Sequence, residues 1–249
     1  MGESRNLARS GRIWPPIASI AHSPFWLSGP APMRYHAAGS AVPGSAARTL
    51  QRTAVMARLT SLCVYCGSSS AVDPAHLEAA AALGRLAAER GVQIVFGGGR
   101  VGLMGVLADA ALAAGGEVVG VIPEHLQVRE VGHQGITRLE VVDSMHSRKM
   151  RMAALSDAFC TLPGGLGTLD ETFEIITWRQ LGLHDKPVTI LNQGGFWDPL
   201  LSLIGHQTAG GYIHNNHHKL FAVVDSVEAV FSTIAAAPEP RQASDIRHM

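Results

Sequence analysis

Charged side chains are scarce in this chain of 249 residues, at 16%, and their signs cancel: lysine plus arginine number 20, aspartate plus glutamate 20. A protein that coats a polyanion needs a basic surface, so the zero balance argues against nucleic acid as a partner. Cysteine is scarce too. Three cysteines exclude a disulfide-stapled secreted scaffold and suit a reducing, cytoplasmic compartment. No apolar run reaches the roughly 18 residues that cross a bilayer, so no membrane partner is expected. Neither an H-E-x-x-H metal motif nor a nucleophilic serine elbow occurs, and no Lys-Ser/Thr pair follows the glycine strings, which excludes a nucleoside-triphosphate P-loop. What is abundant is apolar: 47% of residues, with 27 glycines. That composition fits a sizeable core with tight helix–sheet packing.

Acidic residues are almost missing from residues 1–57, where Glu3 stands alone. Arg5, Arg9, Arg12, Arg34, Arg48 and Arg52, with Arg58 at the boundary, meet no lysine there, and Pro15, Pro16, Pro24, Pro30, Pro32 and Pro43 break any period. The apolar stretch from Ile13 to Ile20 is too short and too broken for a signal-peptide core. Three readings stand: a disordered or otherwise non-native extension, an upstream start with Met56 as the native one, and a targeting segment. None gives this zone chemistry. The expected organisation is an N-terminal extension over 1–57, one nucleotide-binding α/β catalytic domain over 58–237, and a flexible tail over 238–249.

A regular alternation begins at Leu59. Short apolar runs are expected as strands at Thr60–Cys66, Val92–Phe96, Glu117–Ile122, Leu139–Val142, Ala158–Leu162, Pro187–Leu191 and Phe221–Val224. Between and after them, helical spacing covers Pro74–Arg90, Gly102–Ala114, Met145–Leu155, Leu169–Leu181, Phe196–Gln207 and Val227–Ala235, with Asp73 as an N-cap and Gly91 as a stop. Continuously apolar strands alternating with helices predict an α/β fold. It is doubly wound and Rossmann-like, with a mainly parallel sheet and helices on both faces. Ligands of such folds bind beyond the carboxyl ends of the strands, where the glycine turns after the second and fifth strands would lie.

Three strings are candidates for chemistry. Gly97-x-Gly99-x-x-Gly102 matches the dinucleotide fingerprint in letters, but follows the second strand rather than the first. It reads as a tight turn, as a phosphate contact, or as an NAD site with Glu124 on the ribose. Pro163-Gly164-Gly165-Leu166-Gly167-Thr168-Leu169-Asp170-Glu171 is the most specific. Its glycines let backbone N–H groups face outward where a helix starts, and the positive dipole end there favours an anion of monophosphate size. The competing reading is a capping box, with Thr168 and Glu171 doing no more than cap the helix. Ser144-Met145-His146-Ser147-Arg148-Lys149-Met150-Arg151 offers Ser144 as a cap and then places cations at the helix end whose dipole disfavours them. It is either a solvated face or a site whose anionic ligand offsets that cost. Cys63-x-x-Cys66 reads as buried strand thiols, and His214, His217 and His218 as a polar loop rather than a metal site.

The strings together resemble the LOG ("lonely guy") family, cytokinin riboside 5′-monophosphate phosphoribohydrolases often labelled lysine decarboxylases. The resemblance rests on Arg148-Lys149 followed by the P-G-G-x-G-T-x-x-E motif at Pro163–Glu171. It extends over Cys63–Ser69, Gly97–Gly105 and Ile176–Pro187, within about Leu59 to Val230. It departs from the family at Ser144, where aspartate is common, and in the extension before Met56. The resemblance implies a hydrolase that cleaves the N-glycosidic bond of adenine-type nucleoside 5′-monophosphates, AMP included, with no cofactor and no metal. It implies Arg148 and Glu171 as the catalytic pair, and Glu130, Lys149, Gly165, Leu166, Gly167, Thr168, Leu169 and Thr177 around the nucleotide. It also implies a homodimer, for which Trp178 and Leu181 offer apolar surface. The rival is a carrier of the same fold that holds a phosphorylated ligand without cleaving it, as molybdenum-cofactor carriers do. A lysine decarboxylase would need a Schiff-base lysine for pyridoxal phosphate, which the motifs do not supply.

Overall fold

The computed structural model describes residues 59–127, 132–214 and 219–238. The expected extension over 1–57 and residues 239–249 of the expected tail lie outside the described residues. The chain runs β1 (Ser61–Tyr65), α1 (Pro74–Glu89), β2 (Gln93–Phe96), α2 (Gly102–Ala113), β3 (Val118–Pro123) and the single turn α3 (Glu124–Gln127). It continues through β4 (Arg138–Val142), α4 (Met145–Ala154), β5 (Ala158–Thr161), α5 (Leu166–Gln180), β6 (Val188–Leu191), α6 (Asp198–Ala209), β7 (Ala222–Val224) and α7 (Val227–Ala236). The local signals act as expected: the Asp73 carboxylate accepts from the Ala75 N–H at 2.9 Å and Pro74 opens α1. Gly91 ends it with φ +67, a left-handed turn that side chains with a Cβ disfavour.

The seven strands form one sheet in the order β4-β3-β2-β1-β5-β6-β7, and every neighbouring pair is parallel. The pleat divides the side chains. Leu62, Val64, Ile94 and Phe96 join a core with α1, α2 and α7 on one face, while Cys63, Tyr65, Val95 and Phe159 join α4 and α5 on the other. This is the doubly wound arrangement that continuous apolar strands predict. The winding reverses between β1 and β5, which pair through Leu62–Ala158 to Tyr65–Thr161. That reversal opens a crevice at the carboxyl ends of the two strands.

Two expected helix starts move. The helix after the fifth strand begins at Leu166, three residues before the expected Leu169, because Gly165 takes the N-cap with extended backbone. The helix expected from Phe196 begins at Asp198, behind a short 3-10 turn over Gln193–Gly195 in which Gly194 has φ +66.

Candidate active site

A cavity of about 220 Å³ lies in the crevice, lined from β1 and its loop by Val64, Cys66, Gly67 and Ser68, and just after β2 by Gly97. Met104 of α2 and Arg148 of α4 add to it, and the turn into α5 contributes Gly165, Leu166, Gly167, Thr168 and Glu171.

The α5 terminus is built to leave amides open. Leu169 donates to Gly165 O at 3.0 Å, and the N–H groups ahead of it have no acceptor within the helix. Gly165 has no side chain to cap them, and Leu166 is 85% exposed. The helix is held from beneath: Thr172 Oγ1 donates to Thr168 O at 2.6 Å and meets Thr161 Oγ1 of β5 at 2.9 Å. A Cβ on Gly164 would overlap the Thr168 side chain. The capping-box reading is therefore corrected. Thr168 stands inside the first turn rather than at the cap, and Glu171 lines the cavity.

Glu171 is 8% exposed and Arg148 6%. Arg148 Nη2 lies 3.7 Å from Glu171 Oε1. Ser144 caps α4 as expected, accepting from the Ser147 N–H at 3.1 Å, and so starts the helix that aims Arg148 across the strand ends. There Arg148 Nε donates to Val121 O at 3.1 Å and Nη2 to Gly97 O at 3.2 Å, while Nη1 faces the Met145 thioether at 3.7 Å. Carbonyls and one carboxylate thus compensate a guanidinium that burial alone would penalise. The other cations of this run do not face the cavity. Lys149 Nζ pairs with Asp170 at 3.1 Å and Glu174 at 3.0 Å. Burial pulls its pKa down, but the hydrogen bonds to these two carboxylates outweigh it and hold it raised. Arg151 binds Glu140 through two nitrogens, at 2.6 and 3.0 Å. The dipole cost of these two is met by the chain's own acids, not by a ligand.

The Gly97-x-Gly99-x-x-Gly102 string also resolves. Gly102 has φ +67, and a Cβ there would lie 2.5 Å from Ser69 O. The Leu103 N–H is taken by Gly67 O at 3.1 Å. The loop after β1 thus sits on the end of α2 that a dinucleotide pyrophosphate would occupy. Gly102 serves close packing, and of the three glycines Gly97 lines the cavity.

Of the ten residues expected around the nucleotide, Arg148, Gly165, Leu166, Gly167, Thr168 and Glu171 come together. Lys149 is drawn off by its acids. Leu169 packs against the second core. Thr177 is exposed farther along α5 and does not line the cavity. Glu130 lies outside the described residues. Sequence reasoning missed Gly67, Ser68, Met104 and the role of Gly97. Of these, Gly67 and Ser68 carried a signal, since a glycine after the first strand faces the switch point. Cys63 and Cys160 are buried strand thiols, whereas Cys66, expected in the strand, follows β1 and reaches the cavity wall.

A family model described as "Possible lysine decarboxylase" matches residues 104–234. The chain is 45% identical over 163 residues to the cytokinin riboside 5′-monophosphate phosphoribohydrolase LOG of Oryza sativa subsp. japonica, covering 66% of this chain and 67% of that one. It is 45% identical over 175 residues to a cytokinin riboside 5′-monophosphate phosphoribohydrolase of Rhodococcoides fascians, covering 70% and 88%. Among solved structures, the molybdenum cofactor carrier protein of Chlamydomonas reinhardtii superposes with a TM-score of 0.55 over 71% of this chain and 96% of that one. At 20% identity, that likeness speaks for the fold alone. Pyridoxal chemistry, which the family description suggests, would need a lysine at the cavity. Lys149 is paired with acids, Lys186 donates to Ala153 O at 2.9 Å, and neither they nor Lys219 line it. On the matched model and these relatives, the chain belongs to the "Possible lysine decarboxylase" family, in its LOG branch of cytokinin riboside 5′-monophosphate phosphoribohydrolases.

Proposed function

We propose that this protein hydrolyses the N-glycosidic bond of adenine-type nucleoside 5′-monophosphates, cytokinin riboside 5′-monophosphates among them, to the free base and ribose 5-phosphate. One observation carries the reading: a buried Arg148–Glu171 pair, 3.7 Å apart, in the same cavity as the open amides of the Gly165–Thr168 turn. The 5′-phosphate sits on the N–H groups of Gly165, Gly167 and Thr168, where the α5 dipole favours negative charge.

Cleavage breaks the C1′–N bond with its electron pair leaving on the base. Water oxygen bonds C1′, and the water's proton ends on the base nitrogen. Positive charge builds on the ribose on the way, as in other glycoside hydrolysis. The Glu171 carboxylate stabilises that charge and orients the ribose or the water. A guanidinium serves as a hydrogen-bond donor rather than as a general acid. The tethered guanidinium of Arg148 donates hydrogen bonds to the departing base, a preorganised electrostatic role.

AMP, isopentenyladenosine monophosphate and adenosine are incubated with the protein, and free base is read by chromatography. Both monophosphates release base, and adenosine is slower by about 100-fold, the worth of two charge-assisted hydrogen bonds. Binding of AMP without any adenine release would mark a carrier instead.

Self-association belongs to the same proposal. Phe173 and Leu181 of the α5 segment stay exposed at 41% and 66%, and a homodimer burying them is read by sedimentation. No helix among the described residues is long and apolar enough to cross a membrane. We assign the protein to the cytoplasm, a reading supported by its three unpaired thiols.

A further inference from the structure

The loop after β1 contributes a hydroxyl to the cavity that neither the motifs nor the family resemblance assigns. Ser68 lines the cavity and is exposed at its mouth. Among the described residues, its hydroxyl has no hydrogen-bond partner, whereas the neighbouring Ser69 Oγ accepts from the Ala71 N–H at 3.3 Å. Its backbone is fixed from two sides. The Gly67 N–H donates to Pro163 O at 3.0 Å, and Gly67 O accepts from the Leu103 N–H at 3.1 Å. Gly102 backs the loop so closely that a Cβ there would lie 2.6 Å from the Ser68 carbonyl carbon. On the other flank, a Cβ on Gly67 would be 3.3 Å from the Gly164 Cα. The loop and the anion-favouring turn therefore approach along their backbones, and Ser68 lines the same cavity as that turn.

We infer that Ser68 is a phosphate-binding residue, its hydroxyl donating to the 5′-phosphate oxygen that faces away from the α5 amides. The amides approach an anion from one side, along the α5 axis. A phosphate presents oxygens in several directions, and the loop after β1 is the element packed against the open flank of the turn. A donor held there adds a charge-assisted hydrogen bond and distinguishes a phosphate monoester from a neutral nucleoside. The inference rests on the nucleotide reading of this cavity, but not on hydrolysis.

The test separates the two. Ribose 5-phosphate binding is measured by calorimetry on wild type, Ser68→Ala and Ser68→Thr, alongside adenine release from AMP and from adenosine. Ser68→Ala weakens ribose 5-phosphate and raises KM for AMP by about tenfold, the worth of one hydrogen bond to a charged group. It lowers kcat/KM for AMP more than for adenosine, and Ser68→Thr restores the binding. Thermal melts confirm folding, which an exposed serine does not govern. Equal ribose 5-phosphate affinity in wild type and Ser68→Ala overturns the assignment, as does a loss shared equally by AMP and adenosine. A wild type that binds ribose 5-phosphate through Ser68 yet releases no adenine leaves the assignment standing and removes the hydrolase.

Discussion

The Arg148 guanidinium and the Glu171 carboxylate face each other at 3.7 Å, a distance that leaves them attracted but not locked in a short hydrogen bond. Arg148 is tethered to Gly97 O and Val121 O instead, so a ligand can take up Glu171 without pulling the arginine away. Substitution therefore separates chemistry from stability. Glu171→Gln keeps shape and burial while removing the charge, and lowers kcat for base release by about 100-fold or more, the scale of losing one electrostatic stabiliser. Arg148→Ala abolishes turnover but also removes the cation beside a buried carboxylate and the donor to the Gly97 and Val121 carbonyls, with a stability loss of about 3–5 kcal/mol. Chemical denaturation beside the activity assay distinguishes the two. Wild-type rates in either variant would remove both roles.

Gly97 is the residue on which the arginine's place depends. A Cβ there would overlap Arg148 Nη2 and come within 3.3 Å of the Met104 sulfur. Both neighbours are ends of flexible side chains, so the fold absorbs the methyl group while the guanidinium is displaced. Gly97→Ala is expected to fold with a lowered melting temperature, because the displaced guanidinium gives up Gly97 O, Val121 O and Glu171, and to lose kcat by about 100-fold, since small misplacements of a catalytic group cost that much. Unchanged activity would mean that the arginine position seen here is not the working one.

Much of this was legible in the chain and some was not, for physical reasons. Continuous apolar strands such as Val118–Ile122 announce burial on both faces, and helix stops such as Gly91 are local. The Pro163–Glu171 string announces itself because only glycines let amides crowd toward an anion. What sequence could not separate were the two meanings of a charge run. Arg148, Lys149 and Arg151 look alike in one dimension, and only the tertiary placement of Asp170, Glu174 and Glu140 draws the latter two away from the cavity. The capping-box letters misled for a similar reason, since a box depends on where the helix begins and Gly165 moved that start.

His184 gives the fold a pH dependence on its acid side. Burial pushes its pKa below the ordinary imidazole value of 6.5, and the nearby Lys186 and Arg179 push it further, against the bond to Ile175 O and the charge of Asp185. The unfolded chain thus takes up a proton that the folded one refuses. Stability from this group is complete above about pH 6.5 and falls as pH drops below it. Thermal melts from pH 7.5 to 5.5 are expected to decline. His184→Gln, whose amide can still donate to Ile175 O, flattens that decline. A variant as pH-sensitive as wild type would place the dependence elsewhere.

The thiols should be chemically quiet although one reaches the active cavity. Burial pushes Cys160 up to about 12, and burial raises Cys63 and Cys66 as well, with the Glu171 charge adding to the effect at both. Nucleophilic attack needs the thiolate, which is then rare at pH 8. Iodoacetamide on the native protein is expected to label none of the three cysteines in the time that labels all of them in guanidinium, read by mass spectrometry. Cys66 is the discriminating site, because the cavity admits a small reagent to its wall. If access governed reactivity, Cys66 would be alkylated first and base release would fall in step. If ionisation governs it, as burial beside a carboxylate dictates, activity survives the reagent.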